Sequence, residues 1–215
     1  DVRDQLEGPP TGWPRDAVDG ALIALFTAGH LRATLKGTPL RKGQLDQAKV
    51  SASDFQAETT TIGTPERIVL RKLFQALEVP FKPGDESNAA ALYLERLSAL
   101  AVTAGGDPPL PSRPSTAAVD KLRGLGGNDR LAEIVKEKVA LQQAGDEWKA
   151  LTERAEKRIP QWQFLVQLRG HAADLGDAAG AIAQMDAVEN ERRLLDDTDP
   201  LPPLRKELCK ALRKA

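Results

Sequence analysis

The side chains in this 215-residue chain best suited to chemistry are two histidines, one cysteine and several clusters of bases and acids. His30 and His171 lie far apart, and neither belongs to a His-Glu-x-x-His zinc pattern. His30 stands beside Gly29 where a helix is expected to end, a favourable place for a cation, so a capping role is expected. His171 falls on a polar helical stretch and reads as solvated. Cys209 lies between Leu208 and Leu212, and Lys206 and Lys210 nearby would favour its thiolate. No His or Asn accompanies it in a nucleophile signature, so it reads as structural. One cysteine also excludes an intrachain disulfide and a Cys-based zinc site. Acid pairs such as Asp196-Asp197 carry little weight among 31 carboxylates. The glycines near Gly37 and Gly124–Gly127 fit neither a Walker A motif nor a dinucleotide fingerprint. No catalytic residue, metal ligand or cofactor is therefore expected, and the chain does not read as an enzyme.

Positive charge is a different matter. Between Arg32 and Lys49 stand Arg32, Lys36, Arg41, Lys42 and Lys49 against the single acid Asp46. A hairpin over Lys36–Lys42 would carry three of these cations at its tip. Each cation that meets a phosphate releases counterions, so even a few such contacts give salt-sensitive affinity for nucleic acid. Arg15, Arg32, Lys36, Arg41 and Lys42 are the candidate phosphate-positioning residues. The structural alternative is a basic loop that keeps an edge strand soluble. A second cluster, Arg205, Lys206, Lys210, Arg213 and Lys214 against Glu207, fits compensation of a helix dipole near its C-terminus.

These residues need elements to hold them. Ala17, Val18, Ala21, Leu22, Leu25 and Phe26 make one apolar helical stripe after Pro14, closed by Gly29. Leu31–Leu35 alternates as a strand and turns at Lys36-Gly37-Thr38-Pro39. Phe55–Ile62 is a second extended candidate, and Thr64-Pro65-Glu66 opens a helix that Pro80 stops. Helix, glycine and hairpin in that order outline a winged-helix-like α+β unit over 1–84. From Asp85 on there is no strand pattern. A helix begins at Asp85-Glu86-Ser87, Asp107–Pro114 is an extended connection, and Ser115 opens a short helix. Asn128 then caps a long one with 3-4 apolar spacing from Leu131 to Ile159. Pro160 is expected to break or kink it and let the chain fold back as an antiparallel hairpin. A last basic helix is expected over Leu204–Ala215. The fold class is mostly α, with an α-helical domain over 85–215.

Composition agrees with that class. Hydrophobic residues make up 41 % and aromatics only 4 %, and the net charge of −1 gives no global pull toward nucleic acid or anionic membrane. No apolar run approaches the ~20 residues of a membrane span. A cytoplasmic, non-membrane protein is expected. The chain begins at Asp1 and its only methionine is Met185, so a piece of a longer protein is expected.

The block Leu6-Glu7-Gly8-Pro9-Pro10-Thr11-Gly12-Trp13-Pro14-Arg15-Asp16-Ala17-Val18, continuing to Gly29-His30-Leu31-Arg32, resembles part of the C-terminal region of the large P-loop ATPase of BREX (bacteriophage exclusion) systems. Thr64-Pro65-Glu66-Arg67, Trp162 and Asp199-Pro200 resemble later parts of the same region. Thr11 stands where the block has an aromatic. The resemblance implies a non-catalytic module of a phage-defence complex whose nucleotide site lies upstream, with other subunits or double-stranded DNA as partners. A helical protein–protein scaffold without a nucleic-acid role is the alternative. An arginine supplied in trans to a neighbour's phosphate is the one catalytic contribution left open.

Overall fold

The computed structural model describes residues 2–214, which are mostly helical with a small antiparallel sheet. They form two compact units. Asp1–Arg96 joins Val119–Gln142 in the first, and Leu97–Ala118 joins Gln143–Ala215 in the second.

In the first unit, α1 (Val2–Glu7) leads through the Gly8–Trp13 turn into α2 (Arg15–Ala28). Asp16 in the first turn favours the start of α2, and Gly29, at φ 84°, ends it. Val18, Leu22 and Phe26 face inward, whereas Leu25 is exposed, so the buried stripe is narrower than the sequence pattern. Arg3 clamps α1 to α2. Its Nε and Nη2 donate to the two carboxylate oxygens of Asp19 at 2.6 and 2.7 Å, and both side chains are buried.

The chain then forms β1 (Leu31–Leu35) and the two-residue edge strand β2 (Thr38–Pro39). Leu35 pairs with Thr38, so Lys36 and Gly37 make the whole turn. Their φ values of 50° and 77° suit the tight hairpin turn whose twist matches its strands. Pro39 sits where a missing N–H is tolerated, on an edge. A short helix, α3 (Gln47–Val50), starts at Asp46, which accepts the Lys49 N–H. It leads to β3 (Ser53–Ala57), antiparallel to the other side of β1 with Ala33 opposite Phe55. The strand order is β2-β1-β3. Ala33, Leu45 and Val50 bury with Val18, Leu22 and Phe26 in one cluster. The second strand was expected over Phe55–Ile62. It lies earlier, because it pairs along β1 from Leu35 opposite Ser53 to Leu31 opposite Ala57, where β1 begins.

Helix α4 (Thr64–Ala76) takes Pro65 in its first turn and turns Leu70, Leu73 and Phe74 inward. The Phe74 ring meets Phe81 and Tyr93, the latter on α5 (Glu86–Thr103). Next come α6 (Ala117–Arg123) and α7 (Gly127–Lys136). The sequence places these two with the helical part, yet Val119–Gln142 belongs to the first unit. Polar groups hold it there. The Asn128 amide donates to the carbonyls of Gly29 (3.1 Å) and Thr60 (2.8 Å), and the Thr60 hydroxyl donates to Asp129.

The long helix expected from Asn128 is interrupted only at Glu137 and resumes as α8 (Lys138–His171). It does not fold back at Pro160, and the antiparallel hairpin expected there is not formed. Proline removes one helical hydrogen bond and crowds the carbonyl four residues back. Burial on either side offsets that, because Ala155, Trp162 and Leu165 all sit in the second unit's core. Arg158 adds to it by donating Nη1 to the carbonyls of Leu194 (2.9 Å) and Asp196 (2.6 Å). Arg154 donates to Leu195, and Arg192 to Gly106 and Leu110, so guanidinium groups satisfy loop carbonyls throughout this unit. After a 3-10 turn at Gly176–Ala178 come α9 (Ala179–Asn190) and α10 (Leu201–Leu212). The last helix starts three residues earlier than expected. Pro202 and Pro203 fit its first turn, where their missing N–H groups cost nothing.

Candidate nucleic-acid interface

The five sequence candidates divide by what already holds them. Lys36 lies in the hairpin turn, and Arg41 follows β2 at the other end of the hairpin, so the tip carries one of the three cations expected over Lys36–Lys42. Both are exposed, and their side chains have no partner among the described residues. Lys42, next in sequence, donates Nζ to the Gly84 carbonyl at 2.7 Å. Arg15 opens α2, is 66 % exposed and lies 3.7 Å from the Glu7 carboxylate.

Arg32 is different. It leaves β1 toward two carboxylates, 3.5 Å from Glu58 and 3.2 Å from Asp129, and only 29 % of its side chain is exposed. Asp129 also accepts the Thr60 hydroxyl at 2.5 Å, and Glu58 accepts the Asn128 N–H at 3.1 Å. Burial pushes the Glu58 carboxyl above its ordinary range, against the lowering pull of the Asn128 bond and the Arg32 charge. Its Oε2 and the Arg32 Nε lack a hydrogen-bond partner in this clasp. Arg32 is thus tied to the protein's own acids, which takes it out of the set expected to meet phosphate. Gly127 packs against the same group at φ 54°, and a Cβ there would collide with the Glu58 carboxylate.

The fold also gathers cations that sequence reasoning missed. Glu86, 1 % exposed, receives Arg67 Nη1 at 2.8 Å on one oxygen and Arg71 Nη2 at 2.7 Å on the other. Burial alone would push its carboxyl up. The hydrogen bonds from Arg71, its own N–H and that of Gly84, with the Arg67 charge, hold it below the ordinary range instead. The Gly84 N–H reaches Glu86 at 3.3 Å while its carbonyl takes Lys42. Lys42, Arg67 and Arg71 therefore meet beside one buried acid. The i, i+4 spacing of Arg67 and Arg71 on α4 was the available signal.

Of the remaining candidates, His30 is exposed at the end of α2, where its N–H donates to the Leu25 carbonyl. Cys209 is half-buried and free. Among the described residues no group of three or more His, Cys, Asp or Glu is placed to hold a metal ion. None of their helices is long and apolar enough to cross a membrane. No family model matches the chain, and none of the curated proteins or solved structures compared with it is similar to it.

Proposed function

We propose that the chain is a non-catalytic module of a BREX-type phage-resistance ATPase, working in the cytoplasm, which holds double-stranded DNA against the hairpin of its first unit. The supporting observation is that Lys36 in the hairpin turn and Arg41 just past β2 are exposed with no acid paired to them among the described residues, while Arg32 is ion-paired to Glu58 and Asp129. Lys42, Arg67 and Arg71 extend the same sign of charge beyond the tip. Contacts of this kind fix a duplex by its backbone and read no sequence, so binding is salt-dependent and indifferent to base order. The family part of the reading rests on the Leu6–Val18 block and its continuation to Arg32. In that block Trp13 is 46 % exposed, as a residue left for another subunit would be.

The test is fluorescence anisotropy of a labelled duplex with the whole chain at about 50 mM salt, where even a few phosphate contacts give measurable affinity. Lys36→Glu with Arg41→Glu is expected to lower affinity at least about tenfold and to flatten the salt dependence by about two phosphate contacts. No binding by the wild-type chain, or a double variant that binds as well, refutes the nucleic-acid role.

A further inference from the structure

The second unit carries a binding feature that owes nothing to the hairpin. On α10, Leu201, Leu204, Leu208 and Ala211 are buried and the opposite face is basic. Arg205, Lys206, Lys210, Arg213 and Lys214 line one open face of this helix and its end, with Cys209 among them. Lys214 is paired with Asp177 at 2.7 Å, a carboxylate that Lys210 also attracts; among the described residues Arg205, Lys206 and Arg213 make no ion pair. Dipole compensation does not explain the set. Arg205 and Lys206 sit in the N-terminal half of the helix, where the dipole gives a cation no stabilisation.

At Arg205 this basic face meets an apolar depression of about 230 Å³ between α8 and α10, walled by Pro160, Phe164, Leu165 and Leu201, with Gln161 at its edge. Phe164 is 48 % exposed there, an aromatic ring left without a partner. An apolar cavity of roughly 150 Å³ accommodates a benzene ring, so this one has room for a large apolar side chain.

We propose that this surface docks an acidic peptide segment of a partner protein, one bulky apolar side chain in the depression and its carboxylates along the cations of α10. Charge complementarity names the sign of the partner, and the apolar depression names the anchor. A nucleobase fits less well, because its polar edge would find only Gln161 and Arg205 in an otherwise apolar wall. The cations at 206, 210 and 213 recur every three to four residues, about one helical turn apart, a spacing that carboxylates on an extended or helical segment can follow.

The experiment measures anisotropy of a labelled peptide, one phenylalanine followed by a run of glutamates, with the whole chain. Lys206→Glu with Lys210→Glu is expected to weaken binding at least about tenfold through like-charge repulsion. Phe164→Ser, and replacement of the peptide's phenylalanine by serine, are each expected to weaken it about tenfold, the worth of one buried aromatic contact. The Lys36→Glu/Arg41→Glu variant keeps full affinity for the peptide, which separates this surface from the hairpin. All the substituted residues are exposed, and unchanged circular dichroism certifies that the variants are folded. Several results overturn the proposal: no binding by the wild-type chain, equal binding by the charge-reversed variant, equal binding of the peptide without its aromatic, or tighter binding of single-stranded oligothymidine than of the peptide at the same salt.

Discussion

Asp129 follows Arg32 by 97 positions and accepts a hydrogen bond from its Nη2 at 3.2 Å. That contact ties α7 to the central strand of the sheet. It also decides the use of Arg32, a cation whose type and neighbourhood suggest a ligand and whose surroundings make it a fastener.

The clasp rests on a glycine. Replacing Gly127 by alanine forces a side chain into the left-handed backbone region and into the Glu58 carboxylate. Left-handed geometry alone costs about 1–2 kcal/mol, and displacing Glu58 from Asn128 adds to it. Urea titration of Gly127→Ala is expected to show a loss of at least about 2 kcal/mol.

Two buried glutamates should make stability depend on pH in opposite directions. Glu58 titrates higher in the folded chain than in the unfolded one, so folding favours its protonated form. Its contribution is present below the unfolded value of about 4.3 and is lost as pH rises through the higher folded value. Glu86 titrates lower when folded, so its contribution is present above the unfolded value and is lost as pH falls through the folded one. Glu58→Gln is expected to flatten the decline of stability on the way up from about pH 4.3. Glu86→Gln is expected to cost about 1.5–3 kcal/mol at neutral pH and to flatten the acid limb. Thermal melts at several pH values separate the two.

Arg158 holds the loop after α9 through two carbonyls and lies 3.6 Å from Asp199. Arg158→Met keeps much of the apolar stem but strands those oxygens. A loss of about 3 kcal/mol is expected, and Arg158→Lys should recover only part of it.

Pro160 offers the reverse case. It interrupts the bonding of a helix that continues regardless, so Pro160→Ala is expected to raise the melting temperature, by a few degrees for about 1–3 kcal/mol gained. A lower melting temperature would mean that the ring's packing outweighs the missing hydrogen bond.

Local pattern made much of the fold legible. The stripe from Val18 to Phe26, the turn at Lys36-Gly37 and the proline start of α4 each depend on neighbours in sequence, and each formed where such neighbours place it. Long-range choices were hidden. Nothing near Pro160 tells that Trp162 and Leu165 bury with Leu201 and Leu204 and so carry the helix past it. Nothing near Asn128 tells that its amide meets Gly29 and Thr60, which assigns α7 to the first unit. The same limit applied to the candidate interface. Lys36 was readable because a hairpin tip is exposed by construction, whereas Arg32, Arg67 and Arg71 could be sorted only once their acids were located.

The arginines bound to loop carbonyls carry a consequence for any attempt to redesign this chain by charge. Arg130, Arg154, Arg158 and Arg192 act through the several N–H groups of a flat guanidinium, reaching backbone oxygens that no strand or helix serves. Exchanging all four for lysine would leave the isoelectric point almost where it was and would pass any electrostatic screen. The connecting segments would nonetheless come loose, because here the shape of the cation, more than its sign, fastens the turns.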